Sequence, residues 1–355
     1  MNKSQDVKIF PQLNWWQSRH LILGRTDKLI KLGRTLQRSP YEPWQFWVPP
    51  GKMVTVFETR KAGQDMDGLP FLDSERFRDF MGWSPLFTEG RAHEKAREIM
   101  QDLVAQMGGT QQHFIECVRA RLLSARGRKI DLTSMLQEEM VRRVIASILP
   151  EQKMSATERE KVVKLALRWL NLSNRMGFFL EGPFRRLSPG WGEMKRSREA
   201  LELILGDGDI EKGCASLLLI LAGSDNPRFL ILDVLCRAEE QGGLSDTVTV
   251  ESLVKQSLTD FPPTPLNLRI VDRESVVIDG HPVAQGSAVA LDTARAGLQW
   301  GHGNHACLGA RQARSDTEEI MEIMRRVAPE LMVVRVGASG ERFTPQMPRV
   351  VVKPR

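Results

Sequence analysis

The chain has 355 residues, of which 41% are hydrophobic and 26% charged, a balance typical of a globular protein and not of a disordered one. Its net charge is +6, but basic and acidic residues are interleaved instead of forming the concentrated basic stripe of a nucleic-acid-binding protein, so we expect no nucleic-acid partner. The four cysteines are scattered without disulfide or metal-ligand spacing, and neither a membrane-length apolar run nor a signal-peptide pattern is present, so we expect a cytoplasmic protein without a membrane partner.

The N-terminal part of the chain is irregular, with a helical pattern near 26–37. Pro49-Pro50-Gly51 precedes an extended run, and we predict a strand over 52–59. From about residue 91 the sequence becomes strongly helical. Apolar residues recur at helical spacing up to residue 149, and Pro150 is expected to end that helix.

Three further segments have helical patterns, at 155–177, 192–206 and roughly 213–240. After Pro262-Pro263 the sequence pattern changes and predicts short strands separated by Asp-Gly and Gln-Gly turns. The expected strands are 275–278, 288–291, 331–335 and 349–353, and a last helix is expected over 308–326.

These elements predict a mainly α fold with a small β portion. We expect one domain over 1–355. It would comprise an irregular, β-containing part over 1–90, a helical body over 91–260, and a region of small strands with a cysteine loop and helix over 261–355.

The most specific segment is WGHGNHACLG, residues 300–309, which we call the Cys loop. Gly301 and Gly303 allow sharp turns and close approach to a flat ligand, and Gly309 does the same where the helix begins. Cys307 lies at the predicted helix N-terminus, where the dipole and free N–H groups favour a thiolate. The loop therefore presents one thiolate, Cys307, as a metal ligand.

This segment resembles the heme-binding loop of the cytochrome P-450 family, F-G-x-G-x-H-x-C-x-G. The fixed positions match except the first, where Trp300 replaces Phe. The resemblance implies a cytochrome P-450-like fold, a single heme-binding domain over 1–355, heme b (iron protoporphyrin IX) as cofactor, and Cys307 as the axial ligand of the iron. Thiolate ligation of heme supports O–O cleavage.

Further residues occur where the family places those that bind the heme propionates. His93 and Arg97 stand four apart, on one face of a helix, and match the family's His-x-x-x-Arg pair. Arg269 follows the Pro-Pro stretch, and His305 lies in the Cys loop. The resemblance therefore implies that these four side chains hold the two carboxylates, for which cationic partners are needed.

The segment Ala222-Gly223-Ser224-Asp225 resembles the family's A-G-x-[D/E]-T, which lies over the heme iron. By the resemblance, Gly223, Asp225 and Asn226 would line the distal pocket and serve catalysis. Asn226 stands where the family has an alcohol and would position oxygen, peroxide or a polar substrate group. Pro227 follows and is expected to distort the helix.

Two further departures concern the proximal side. The family's E-x-x-R is missing, because Gln256 and Thr259 stand at the corresponding positions. The connection from the strand ending near Leu291 to Trp300 is also too short for the family's meander, whose Arg completes an ion network with that Glu and Arg. Joint loss of all partners is less costly than loss of one, so the absences are mutually consistent.

Our interpretation is a cytochrome P-450-like enzyme, a monooxygenase or oxidase of a small organic molecule, in bacterial specialised metabolism. Electrons, if used, would come from a ferredoxin-type partner. One alternative keeps the heme but uses peroxide directly or performs non-redox isomerase or dehydratase chemistry, as Asn226-Pro227 suggests. Another alternative is a non-catalytic partner of other enzymes.

Overall fold

The computed structural model describes residues 8–10, 54–71, 90–124, 128–149, 154–176, 190–242, 248–260, 262–264, 266–326, 331–338 and 348–354. Helices dominate the described part of the chain and strands are few and short, so the predicted mainly α fold with a small β portion is confirmed. The helical pattern near 26–37 lies outside the described residues.

The helices follow one another through most of the described chain. They are α1 (Arg60–Asp65), α2 (Gly90–Gly109), α3 (Gln111–Ser124), α4 (Leu132–Ile148), α5 (Ala156–Met176), α6 (Trp191–Gly206), α7 (Ile210–Glu240), α8 (Val250–Asp260) and α9 (Ala310–Arg326). The helices predicted from about 91, up to 149, and over 155–177, 192–206, 213–240 and 308–326 are confirmed with small shifts of their ends. Helix α1 was not predicted, whereas α3 and α8 lie within the predicted helical body over 91–260 but were not given bounds of their own.

The longest helix, α7, is central to the fold. The Asp209 carboxylate caps it by accepting a hydrogen bond from the amide of Lys212 at 3.1 Å. Pro227 lies inside it and cannot donate an amide hydrogen, yet the helix continues through this residue to Glu240. Tertiary burial on both sides therefore outweighs the local cost of the proline.

By length and composition α7 would suffice to cross a membrane, and it is the one such helix in the described part of the chain. However, 72% of its apolar window is buried against the rest of the fold. The core helix of a soluble protein has the same properties, so they are weak evidence for a membrane span.

The strands form three small sheets. They are β1 (Lys8–Phe10), β2 (Val54–Phe57), β3 (Ile130–Asp131), β4 (Leu266–Ile270), β5 (Val276–Ile278), β6 (His281–Val283), β7 (Ala288–Asp292), β8 (Leu331–Ala338) and β9 (Pro348–Pro354). One sheet has the order β1-β2-β7-β4, in which β2 and β7 are parallel; the others are β3-β9-β8 and the hairpin β5-β6. The strands predicted within 52–59, 275–278, 288–291, 331–335 and 349–353 are confirmed, whereas β1, β3, β4 and β6 were not predicted.

The hairpin β5-β6 shows how local sequence sets the register. Ile278 pairs with His281 across a two-residue turn formed by Asp279 and Gly280. Both turn residues have positive φ, 49° and 80°, which is the requirement of the turn that best fits strand twist and the reason that Asp-Gly is favoured there.

Three groups of buried apolar side chains form the core. One lies among α3, α4, the second half of α7, α8, α9 and the β8-β9 pair. The next joins α2, α4, α5, α6 and the first half of α7. The third lies between α1 and the strands β2, β5 and β7. The candidate site lies where the three groups meet, and each contributes residues to its walls.

Candidate functional site

The Cys loop connects β7 to α9 and is closed by its own backbone. The amide of Cys307 donates to the carbonyl of Trp300 at 2.7 Å, and the amide of Gly301 donates to the carbonyl of Leu298 at 2.9 Å. Gly301 has φ +73°, and a Cβ there would lie 2.4 Å from the carbonyl oxygen of His305. Only glycine fits at Gly301, because the loop folds back onto this atom.

Cys307 opens into a cavity of about 380 Å³, a size typical of ligand and cofactor sites. Burial by the surrounding protein raises the pKa of the Cys307 thiol, whereas the amides of Gly309 and Ala310 and the charge of Arg97 act in the opposite direction. The position of Cys307 at a helix N-terminus predicted a lowered pKa for this thiol. Desolvation outweighs that contribution, so the net direction in the protein alone is upward.

Helix α2 brings two of the predicted residues against the Cys loop. The buried ring of His93 donates from Nε2 to the carbonyl of Asn304 at 2.9 Å. Arg97 donates to the carbonyls of Asn304 and Ala306, at 2.7 and 3.1 Å. The predicted shared face of His93 and Arg97 is therefore directed at the loop that carries Cys307.

A stack of rings joins the other two predicted residues to this edge. The centroid of the His305 ring lies 4.3 Å from that of His93 and 5.5 Å from that of Phe71. The Arg269 guanidinium, on β4, lies 3.5 Å from the centroid of the Phe71 ring, on the side chain that also meets His305. The structure thus places His93, Arg97, Arg269 and His305 together at one side of the cavity.

Helix α7 forms another part of the wall. Gly223 and Asn226 both line the cavity, as do Leu219 and Pro227. A Cβ at Gly223 would lie 3.2 Å from a methyl group of Leu219, so the absence of a side chain keeps this wall open. The amide of Asn226 has no hydrogen-bond partner within the described part of the chain and is available to a ligand.

The structure does not bring Asp225 to the cavity. Its buried carboxylate accepts a hydrogen bond from Arg228 at 2.9 Å, one turn along α7, and from Gln137 at 3.5 Å. Arg228 is completely buried and also donates to the carbonyl of Thr133 at 3.4 Å. Asp225 therefore belongs to an ion pair within α7 that also bonds to α4, on a different side of the helix from Asn226.

Trp300 and Gly309 complete the predicted set, and both line the cavity. The indole of Trp300 packs against the core group around α3 and α4, and the Arg314 guanidinium lies 5.2 Å from the centroid of its ring. An indole at the position of the motif's phenylalanine thus serves as a half-buried anchor at the start of the loop.

At the positions where the sequence departs from the family motifs, the structure shows exposed side chains and tight turns. Gln256 is exposed on α8 and accepts a hydrogen bond from Gln241 at 3.2 Å. The short connection after β7 consists of tight turns, in which the amide of Leu298 donates to the carbonyl of Thr293 at 2.8 Å. Arg295 in this connection is exposed and pairs with Glu58 on the surface.

Sequence reasoning missed several residues of the site. Phe71 was missed because a single aromatic residue in a sequence does not indicate which residues its ring will contact. Gln312 and Asp316 also line the cavity, on α9; they are four residues apart and therefore share one face of α9.

The donor set fits iron protoporphyrin IX. A thiol faces an apolar-walled cavity, and guanidinium and imidazole groups that suit two carboxylates gather on one side of it. These observations on the chain itself agree with the cofactor that the resemblance implies.

Comparisons with known proteins support the resemblance. No protein-family model matches the chain. Cytochrome P-450-pinF1, plant-inducible, from Rhizobium radiobacter is 29% identical over a segment that covers 40% of this chain and 39% of that relative. The match therefore spans well under half of the relative's length.

Solved structures match over far more of the chain. Cytochrome P-450 EryK from S. erythraea has a TM-score of 0.68 at 17% identity, covering 94% of this chain and 97% of that one. CYP164A2 from Mycobacterium smegmatis has a TM-score of 0.65 at 17% identity, covering 94% and 100%. P-450 BioI, solved with a fatty acid-ligated acyl carrier protein, has 0.64 at 18%, covering 85% and 92%. The chain is thus P-450-like, with the cytochrome P-450 fold.

Proposed function

We propose that this protein is a heme-thiolate oxidoreductase, a cytochrome P-450-like monooxygenase or oxidase that acts on a small organic molecule. The observation that carries the proposal is that Cys307 opens into a cavity with His93, Arg97, Arg269 and His305 on one side of it. This arrangement joins three separate parts of the chain, and a loop with an incidental cysteine would not require it.

Each residue has a distinct part in holding the cofactor. Cys307 would hold the heme iron through its sulfur, on which the amides of Gly309 and Ala310 act at the start of α9. When bound, heme ligated by a thiolate supplies the chemistry of O–O cleavage. His93, Arg97, Arg269 and His305 would hold the two carboxylates of the heme. Trp300, Gly301 and Gly309 shape the loop around the ring.

On the α7 side of the cavity, Gly223 leaves space for a ligand because it has no side chain, and the side-chain amide of Asn226 faces the cavity. The amide can donate to and accept from oxygen, peroxide or a polar group of the substrate. The remaining walls are largely apolar, including Leu218, Leu219 and Leu230, so the substrate is expected to be an apolar molecule with few polar groups. We place the reaction in bacterial specialised metabolism, in the cytoplasm, because the P-450 structures that the chain resembles include bacterial proteins such as EryK.

A second candidate retains the heme but uses peroxide directly, or performs isomerase or dehydratase chemistry. The observation that favours it is the ion pair of Asp225 with Arg228. With this carboxylate held away from the cavity and Asn226 in place of an alcohol, the α7 wall has no evident proton relay. In the first candidate electrons come from a ferredoxin-type protein.

Turnover assays separate the two candidates. Purified protein should be tested with a panel of apolar substrates, once with a ferredoxin and its reductase and once with peroxide alone. Strict dependence on the electron donors supports the monooxygenase and excludes the second candidate. Product formed with peroxide alone, or without any oxidant, favours the second. Because Cys307 is essential in both, Cys307→Ala should remove either activity; activity that persists in this variant would instead indicate a non-catalytic partner protein.

A further inference from the structure

A buried ion pair lies beside the Cys loop and is unused by the functions above. Arg143, on α4, donates from Nη1 to Oδ2 of Asp316, on α9, at 2.6 Å. Their side chains are only 2% and 4% exposed. Asp316 also accepts from the Gln312 amide at 2.8 Å, one turn nearer to Cys307.

Arg143 connects a second helix to this pair. Its Nη2 donates to the carbonyl of Met107 near the end of α2, at 3.2 Å, and its guanidinium lies 5.0 Å from the centroid of the Phe114 ring. Helix α2 is the helix that presents His93 and Arg97 to the Cys loop. One guanidinium therefore bonds both to the helix that holds the loop's carbonyls and to the helix that follows the loop.

Together these contacts hold the chain on both sides of Cys307. Arg97 on α2 bonds to the carbonyls of Asn304 and Ala306 before Cys307, and α9 begins at Ala310 after it. Arg143 then links α9 back to α2. We propose that Arg143 and Asp316 are positioning residues that fix Cys307 relative to the propionate-binding edge. This inference rests on the proposed heme-thiolate function.

The energetics favour a positioning role over simple stabilisation. A buried ion pair is costly to desolvate and is a weak source of stability, whereas its directional bonds can specify one arrangement. Here the Nε of Arg143 is buried without a hydrogen-bond partner in the described part of the chain, so this pair bears an additional cost. Gln256 and Thr259 of α8 are exposed and uncharged, so they form no buried ion pair near the Cys loop. The Arg143–Asp316 ion pair connects α9 to α4, and Arg143 also bonds to α2.

The test compares three variants. Asp316→Asn removes the charge with little change of shape. The double variant Arg143→Met with Asp316→Leu replaces the pair by apolar side chains of similar volume, which preserves folding more readily than loss of one partner. Asp233→Asn is the matched control, because Asp233 is also 3% exposed and bonds to an arginine, Arg237, at 2.6 Å, but lies outside the cavity wall.

Two readouts apply: amide hydrogen exchange at Gly309 and Ala310 in the heme-free protein, and heme affinity. Loss of a residue that orients a metal ligand typically weakens binding tenfold or more, so we expect about tenfold weaker heme binding in Asp316→Asn and in the double variant. We also expect faster exchange at both amides in these two proteins, and wild-type values of both quantities in Asp233→Asn.

Wild-type exchange and heme affinity in a folded double variant would overturn the inference, as would equal effects in Asp233→Asn. If the wild-type protein bound no heme, the proposed function would fall, and the exchange comparison would still decide whether the pair orders the loop.

Discussion

The imidazole ring of His305, in the Cys loop, lies 4.3 Å from that of His93, on α2, with the ring planes tilted by 49°. The contact joins the loop that carries the candidate axial ligand to a helix far away in sequence. Arg97, one turn after His93, reinforces the junction through two carbonyls of the loop. The position of Cys307 is therefore set by side chains that would also bind the cofactor's carboxylates.

Replacing Arg97 by Gln should weaken heme binding. Arg97→Gln keeps a polar side chain but removes the charge, and a hydrogen bond to a charged group is worth about 1.5–3 kcal/mol. We therefore expect roughly a tenfold to hundredfold loss of affinity in a titration of heme-free protein with heme.

Lys95→Gln is the matched control for this experiment. Lys95 lies on the same helix and is exposed, with an ion pair to Glu211 at 2.6 Å. It should bind heme like the wild type. An equal loss in both variants would mean that the charge of α2 acts at a distance and that Arg97 makes no specific contact.

Gly301→Ala should distort the Cys loop. The added Cβ would lie 2.4 Å from the carbonyl of His305, at φ +73°. Gly286→Ala is its control, because Gly286 has φ +81° and open space around the new Cβ. Both variants bear the strain of positive φ, about 1–2 kcal/mol, but only Gly301→Ala should lose heme. Thermal denaturation and heme content measure the two effects, and retained heme in folded Gly301→Ala would contradict the proposed loop geometry.

Asn226→Ala should impair turnover without loss of heme. The variant removes the amide that faces the cavity from α7 but leaves the Cys loop and the propionate-binding edge intact. Removing one positioned donor typically lowers kcat by about 100-fold or more. Steady-state kinetics with the preferred oxidant, combined with an absorption spectrum, measure both properties. Unchanged kcat would show that Asn226 has no role in positioning oxygen, peroxide or substrate.

The Cys236 thiol should make the stability depend on alkaline pH. Burial raises the pKa of Cys236 to about 11 from an ordinary value of 9.0. Between these values the unfolded chain releases the proton while the folded protein keeps it, so the free energy of unfolding falls as the pH rises. The span of about two units corresponds to at most about 3 kcal/mol.

Cys236→Ala tests this prediction. The substitution is expected to lower stability at neutral pH. The quantity to compare is therefore the change of the free energy of unfolding with pH in each protein. Denaturant unfolding at several pH values between neutral and alkaline should show a smaller decline in Cys236→Ala than in the wild type. Equal declines would mean that the thiol ionises alike in the folded and unfolded chains.

Local sequence was sufficient for much of the fold. Helical spacing predicted the main helices, and Asp279-Gly280 predicted a turn that the structure contains. The bounds of helix α3 within the predicted helical body were not found, although Phe114, Val118 and Leu122 stand at intervals of four and are all buried; their stripe is narrow, and polar residues surround it. Strand β4 was missed because its pairing with β7 depends on a distant partner.

Some residues of the candidate site could be predicted from the sequence, and others depend on tertiary packing. Residues within the Cys loop follow from its local pattern, and His93, Arg97 and Arg269 follow from the family resemblance. The ring of Phe71 between Arg269 and His305 depends on tertiary packing, as does the bond between Arg143 and Asp316. The burial of Asp225 with Arg228 likewise could not be read from the motif, because helical spacing alone does not reveal which face meets the cavity.

The most direct test of the central claim is the absorption spectrum of the purified protein, oxidised and then reduced under carbon monoxide. The account predicts the red-shifted Soret band of a thiolate-ligated heme, lost in Cys307→Ala and retained in Cys117→Ser, which changes a cysteine outside the cavity wall. Absence of heme, or a band like that of a histidine-ligated globin, would contradict the account and leave the non-catalytic partner protein as the leading interpretation.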